Sequence, residues 1–280
     1  MGTGRPHVEI TAATLAGGRK NQDRFAYGDG WAFVLDGASS FTKAQSEHDG
    51  GWYAERLKQA LSAGLTDSAE HTTPGIVEDA IRAVGDAHGG DAASCPTSTI
   101  GLARWNDETL EVYVLGDSTV ALISDNSEEL LSDTRMENIA DPVRKEYRAR
   151  LSAGHGFDER HRELLQHLQT EQAAARNNAG GYWIAGAQPA AAHHGLCRMR
   201  PLETIRGVVL ATDGAATALK YGTLPNWKAF TETDIQAVIE DARRAEESDP
   251  QAARWPRSKP HDDKTAVAIT FPTTHPERSA

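Results

Sequence analysis

The sequence predicts an α+β fold built on antiparallel sheets, and three observations carry that expectation. Short apolar runs of strand character recur along the whole chain, and several are separated by meander-type turns such as Asn106-Asp107-Glu108 and Gly116-Asp117-Ser118. Stretches with helical spacing come in pairs between them, without the regular strand–helix alternation that builds parallel sheets. Four acidic strand ends, at Asp36, Asp117, Asp213 and Asp262-Asp263, are spread over the whole chain.

In chain order, residues 8–15 alternate weakly and are rich in β-branched side chains, which predicts a strand followed by a loop at 16–20. The apolar run 31–35 predicts the next strand. Trp52, Ala54, Leu57, Ala60, Leu61 and Leu65 fall on helical spacing within 46–65, with Ser46 and Asp49 as caps. Pro74 opens a second helix, with Ile76, Val77, Ala80, Ile81 and Val84 on its inner face and Gly89-Gly90 past its end. Strands at 97–105, 109–115 and 120–124 form a meander. Residues 135–176 are highly charged and helical in composition, anchored by Leu151, Leu164, Leu165 and Leu168. Further strands are expected at 180–185, 208–211 and 265–271. A helix at 234–245 turns Ile235, Val238, Ile239 and Ala242 inward, and 272–280 reads as a frayed tail.

Composition excludes several functions. Hydrophobic residues at 39% and charged residues at 25% fit a soluble globular chain, and no apolar run approaches the ~20 residues of a membrane span. Residues 1–6 lack the apolar core of a signal peptide, so a cytoplasmic location is expected, and Cys95 and Cys197 read as reduced thiols. A net charge of −11 argues against a nucleic-acid surface and suits cation binding. Walker loops, dinucleotide fingerprints and nucleophile elbows are absent.

The chemistry lies in the acidic strand ends. Carboxylates brought together raise one another's pKa unless a cation neutralises them, and hard oxygen donors favour Mg²⁺ or Mn²⁺ over zinc. One Asp-Gly is ordinary turn chemistry; several in a fixed order are more specific. The series Asn21-Gln22-Asp23-Arg24, Asp36-Gly37, Thr97-Ser98-Thr99, Gly116-Asp117-Ser118, Asp213-Gly214 and Asp262-Asp263-Lys264-Thr265 resembles the ordered motifs of the protein phosphatase 2C family, the metal-dependent serine/threonine phosphatases, in its bacterial form.

The resemblance implies a four-layer αββα sandwich, with two central antiparallel β-sheets flanked by helices. It also implies one catalytic unit over residues 1–280 with a flap-like insertion at about 130–180. Two Mn²⁺ or Mg²⁺ ions are implied, with a third, weaker one, and a hydroxide bridging two ions about 3.5–4 Å apart attacks the phosphate monoester. The implied metal residues are Asp23, Asp36, Gly37 through its carbonyl, Asp117, Asp213 and Asp262. Asp36 bridges, Asp213 and Asp262 complete one ion, Asp23 orients bound water, and Asp117 with Asp213 holds the third. Asp263 is expected as a hydrogen-bonding partner, and Gly37 as the residue that keeps its carbonyl clear of a side chain. With Asp36, Asp213 and Asp262, Arg19 is the expected catalytic residue, as phosphate anchor.

Three departures accompany this. Gln22 stands where the family has Glu, which removes one negative charge. Gly18 stands at the phosphate-binding Arg position, with Arg19 one residue later and Lys20 as a substitute without Arg's bidentate fork. Ala38 replaces the His that animal-type members carry after Asp-Gly. His193 and His194 are expected to point to opposite sides, His261 abuts Asp262 as an acid or supporting group, and Ser39 and Ser40 read as turn hydroxyls. The expected partner is a phosphoserine- or phosphothreonine-bearing protein. The alternatives are a small phosphorylated metabolite, or a weakly catalytic phosphatase-like binding module, which Gln22 and Gly18 favour. No nucleic-acid or membrane partner is expected.

Overall fold

The structure, a computed structural model, describes residues 8–39, 48–67 and 71–272. The expectations for residues 1–6, Ser40, Ser46 and the tail beyond Pro272 lie outside the described residues. In chain order the strands are β1 (Glu9–Leu15), β2 (Arg24–Gly28), β3 (Trp31–Leu35), β4 (Gly37–Ala38), β5 (Thr97–Ser98), β6 (Ile100–Trp105), β7 (Thr109–Leu115), β8 (Thr119–Ile123), β9 (Glu128–Ser132), β10 (Leu196–Pro201), β11 (Gly207–Ala211) and β12 (Lys264–Thr270). The helices are α1 (Gly50–Asp67), α2 (Thr73–His88), α3 (Asp141–Ser152), α4 (Glu159–Ala175), α5 (Asp213–Lys220), α6 (Ala229–Glu232) and α7 (Ile235–Ser248).

Two five-stranded sheets, ordered β1-β12-β11-β8-β9 and β10-β7-β6-β3-β2, pack face to face, and every ladder in them is antiparallel. Side chains alternate across a strand, so Ala32 and Val34 enter the core between the sheets with Val114, Val120, Leu210 and Val267. Phe33 and Leu35 face the other way, onto Tyr53, Leu57 and Leu61 of α1 and Ile81 of α2. Val209, Ala211 and Ala266 likewise meet Val238, Ile239 and Ala242 of α7. Helix, sheet, sheet, helix is the four-layer order expected. Strands covered on both faces read as unbroken apolar runs, and β3 and β11 are buried at every position. Outside the sandwich, α3 and α4 share a small cluster of Tyr147, Leu151, Leu164 and Leu168, against which Leu165 packs.

The caps explain the helix boundaries. Asp49 Oδ1 accepts the Trp52 amide at 2.9 Å, and Thr72 accepts from Gly75 while Gly89 ends α2 at φ 61°. Six elements were not expected from the sequence: the edge strands β2, β9 and β10, the two-residue β4, and the short helices α5 and α6. The expected strand at 97–105 is broken at Thr99 into β5 and β6. Residues 180–185 are not a strand, because the Asn177 side chain takes the Ile184 amide at 2.9 Å and its carbonyl at 3.1 Å, bonds that a neighbouring strand would otherwise make.

Candidate active site

The ladder registers carry every acidic station to one end of the sandwich. Leu35 stands opposite Arg24, Leu15 opposite Lys264, Ala211 opposite both Ala266 and Thr119, and Ile100 opposite Leu115. Asp23, Asp36, Asp117, Asp213 and Asp262 each lie within two residues of one of these positions. Asp23 is buried, Asp36, Asp117 and Asp262 are half-buried, and Asp213 is exposed at the first turn of α5.

The carboxylates feel one another. Burial lifts Asp23 to about 7, with Asp263 and Asp213 adding to the rise and the Thr212 hydroxyl opposing it. Asp117 also rises to about 7, through burial and then Asp213, against the pull of Arg144. Asp262 rises to about 6 through burial and Asp213, with Lys259 opposing. Asp36 is pushed well above the ordinary carboxylate range by burial and by Asp23, Asp213, Asp262 and Asp117 together. Asp36 is thus the carboxylate that senses all the others.

A hard divalent cation fits this set. All the side-chain donors are carboxylate oxygens, and Asp23 Oδ1 is buried without a hydrogen-bond partner, which leaves its lone pairs unused. Among the described residues no three acidic, His or Cys side chains close into a cage. Ions of the Mg²⁺ type keep several waters and take only one or two protein carboxylates, so they need none.

Backbone packing sets the positions. A side chain at Gly214 would overlap the Asp263 carbonyl oxygen, and one at Gly17 would come within 2.5 Å of the Asp262 carbonyl carbon. Two glycines therefore clasp the 262–263 backbone and bring the start of α5, with Asp213, against Asp262. Asp263 accepts the Gly17 amide at 2.5 Å and the Gln22 amide at 2.8 Å, which ties the first acidic loop to the last. At Gly37 the structure gives a different reason for glycine from the one expected: a side chain would collide with the carbonyl oxygens of Gly50 and Gln22, where α1 begins. Thr99 donates its amide to the Asp36 carbonyl at 2.9 Å, and its hydroxyl lies 2.6 Å from Ser118 Oγ, so the Thr97-Ser98-Thr99 station ties two acidic loops together, one by its backbone and one by the Ser118 side chain.

The other candidates separate. Lys20 is held by Asp49 at 2.7 Å, whereas Arg19 is exposed and makes no ion pair among the described residues. Gln22 donates its side-chain amide to Ser39 Oγ at 2.8 Å. His193 bonds Glu78 at 2.7 Å while His194 stacks on Trp183, so the pair does diverge and neither joins the acidic end. His261 lies 3.1 Å from Glu246 Oε2.

Sequence reasoning missed two charged groups. Glu246, 1% exposed, accepts from the buried Lys264 ammonium at 2.7 Å, and neighbouring Arg243 reaches the carbonyls of Ala16 at 2.8 Å and Asp262 at 3.3 Å. Lys259 places its ammonium 2.5 Å from Asp262 Oδ1. The only local signal was a lysine three residues before the aspartate, across Pro260.

A family model described as Protein phosphatase 2C matches residues 12–248. No curated protein matches the sequence. Among solved structures, the chain is similar to the catalytic domain of the serine/threonine protein phosphatase PstP in complex with two manganese ions, at 15% identity and TM-score 0.52, covering 94% of this chain and 97% of that one. It is similar to the PPM Ser-Thr phosphatase MsPP from Mycobacterium smegmatis in complex with cacodylate, at 17% identity and TM-score 0.54, covering 94% and 98%. It is also similar to the serine/threonine phosphatase Stp1 from Staphylococcus aureus, at 13% identity and TM-score 0.54, covering 95% of each chain. At these identities the likeness is one of fold.

Proposed function

Because this chain belongs to the protein phosphatase 2C family, whose model covers residues 12–248, and is a metal-dependent phosphatase of that family, we propose that it dephosphorylates phosphoserine or phosphothreonine in proteins. The observation that carries the reading is the arrival of five carboxylates at one end of the sandwich, four of them, Asp23, Asp36, Asp117 and Asp262, pushed up by burial and by their neighbours, with an unused oxygen on Asp23. Asp36, Asp213 and Asp262, with the Gly37 carbonyl, would hold two Mn²⁺ or Mg²⁺ ions, and Asp117 with Asp213 a third, weaker one. Bound ions supply charge neutralisation and an activated water for attack on phosphorus.

The chain's own residues then have distinct tasks. Asp23, anchored by Thr212 through one oxygen, offers the other to orient water. Arg19, free of ion pairs among the described residues, is positioned by charge and exposure to grip phosphate oxygens, a task for which Lys20 is already committed to Asp49. Ala38 supplies no acid for the leaving alkoxide. The helical pair α3–α4 forms the flap of the catalytic unit.

A protein substrate is supported by an open cleft of about 660 Å³ that borders the first acidic loop and is lined by Lys20, Arg24, Asp49, Trp52 and Glu55. Its charged walls suit an extended polar peptide better than a buried metabolite. No helix among the described residues is long and apolar enough to cross a membrane, and the free thiols of Cys95 and Cys197 support a cytoplasmic setting.

The test is a panel of phosphopeptides and phosphorylated metabolites assayed with Mn²⁺, Mg²⁺ and chelator. Metal-dependent turnover of phosphopeptides is expected. Turnover of metabolites alone would move the substrate to a small molecule, and inertness with metal bound would leave a binding module.

A further inference from the structure

Lys259 stands apart from every other cation near the acidic end. Among the described residues it is the one lysine or arginine within ion-pairing distance of any of the five aspartates, with Nζ 2.5 Å from Asp262 Oδ1. Its backbone is fixed: Arg257, in the same loop, donates to the carbonyls of Pro260 at 2.9 Å, Asp249 at 2.6 Å and Glu246 at 3.1 Å. Its side chain is 55% exposed along its length and held at its ammonium by Asp262. A pinned base with an exposed arm lets the ammonium swing without moving the loop. The oxygen it occupies belongs to an aspartate that the proposed function assigns to an ion, and a divalent cation brought to that carboxylate repels the ammonium at contact distance.

We infer that Lys259 is a tethered cation of the phosphatase site: it covers Asp262 in the metal-free protein, is displaced when a divalent ion takes that oxygen, and then turns its ammonium to the phosphate of the bound substrate. The inference rests on the metal-dependent reading above.

Two calorimetric titrations test this without relying on turnover: Mn²⁺ into metal-free protein, and inorganic phosphate into the Mn²⁺-loaded protein. Lys259→Met keeps the apolar stem and removes the charge. It should bind Mn²⁺ more tightly, by about fivefold at low salt, since a half-exposed ion pair no longer competes. It should bind phosphate about tenfold more weakly, for loss of one charged hydrogen bond. Lys259→Arg should return both toward the parent. Unchanged or weaker Mn²⁺ binding by Lys259→Met would overturn the inference, as would parent-like phosphate binding once loaded. A parent protein that gives the expected titrations yet hydrolyses no ester would sink the hydrolase reading and leave the role of Lys259 as a cation intact.

Discussion

Thr212 donates its hydroxyl to Asp23 Oδ2 at 2.8 Å and accepts the Thr265 amide at 3.0 Å, so one side chain joins three acidic loops. Thr212→Val takes the hydroxyl donor from a buried carboxylate whose other oxygen has no partner, a loss of about 1–3 kcal/mol in stability. The loss should be larger at pH 8 than at pH 5, because the ionised form of Asp23 is the one that needs the donor. Urea unfolding at both pH values measures it, and equal stability of variant and parent at pH 8 would contradict the assignment.

Asp36→Asn, Asp213→Asn and Asp262→Asn should each lower aryl phosphate hydrolysis by at least about a hundredfold, the upper range for groups that merely support a ligand. In chelator their melting temperatures should equal or exceed the parent's, since each removes one charge from a crowded set. Asp263→Asn should behave differently and lose stability, because it disturbs the bonds to Gly17 and Gln22. Near-normal activity in Asp262→Asn beside an inert Asp263→Asn would reverse their roles.

Stability without metal should fall as pH rises. Against an ordinary value of 3.8, Asp262 lies at about 6 and Asp23 and Asp117 at about 7. The native state therefore holds more protons than the unfolded chain between about pH 4 and pH 7, and that advantage disappears as pH passes through the folded values. Thermal melts in chelator should give a higher Tm at pH 5 than at pH 8. Saturating Mn²⁺ should reverse the slope, because ions bind the deprotonated carboxylates. A Tm in chelator that climbs from pH 5 to pH 8 is the contrary result.

Arg19→Ala should raise KM for phosphorylated substrates more than it lowers kcat, as expected for a contact equal in ground and transition states. Lys20→Ala should do less, since that ammonium is spent on Asp49 and is 74% exposed. Parent-like kinetics in Arg19→Ala would transfer the anchor to another cation.

Gln22→Glu should lower the Mn²⁺ concentration needed for half-maximal activity by restoring a carboxylate beside Asp23. Its cost is the amide donor to Ser39, so a small drop in Tm should accompany the gain. A Mn²⁺ titration of hydrolysis for both proteins decides it; an unchanged half-saturation point would mean that residue 22 does not face the ions.

The inner strands and the order of the acidic stations were legible because burial on both faces leaves an apolar run, and β3 and β11 are such runs. Three of the four edge strands, β2, β9 and β10, were not. β9 and β10 carry Glu128, Glu129, Arg198 and Arg200 toward water, and that composition matches a loop as well as a strand. α5 was hidden because Asp213-Gly214 has the chemistry of a turn, while the close approach of Gly214 to Asp263 belongs to tertiary packing. Nothing local distinguishes Glu246 from Glu240 or Glu247 on the same helix; only the path of the 257–264 loop brings Lys264 and His261 to it. Lys259 escaped for the same reason.

The place of β12 between β1 and β11 has a consequence for biosynthesis. The last strand in chain order among the described residues is an inner strand of its sheet, and its register with Glu9–Leu15 closes a loop of about 250 residues. While the chain emerges from the ribosome, β1 and β11 have no partner between them, and their backbone groups stay open to wrong pairing. Asp262 leaves just ahead of that strand, so the nascent polypeptide passes through a long interval in which four of the five aspartates exist and the sheet that gathers them does not. Folding dominated by such distant pairing is slow, and the ability to bind an ion at Asp262 should appear only after Lys264–Thr270 has been made and paired.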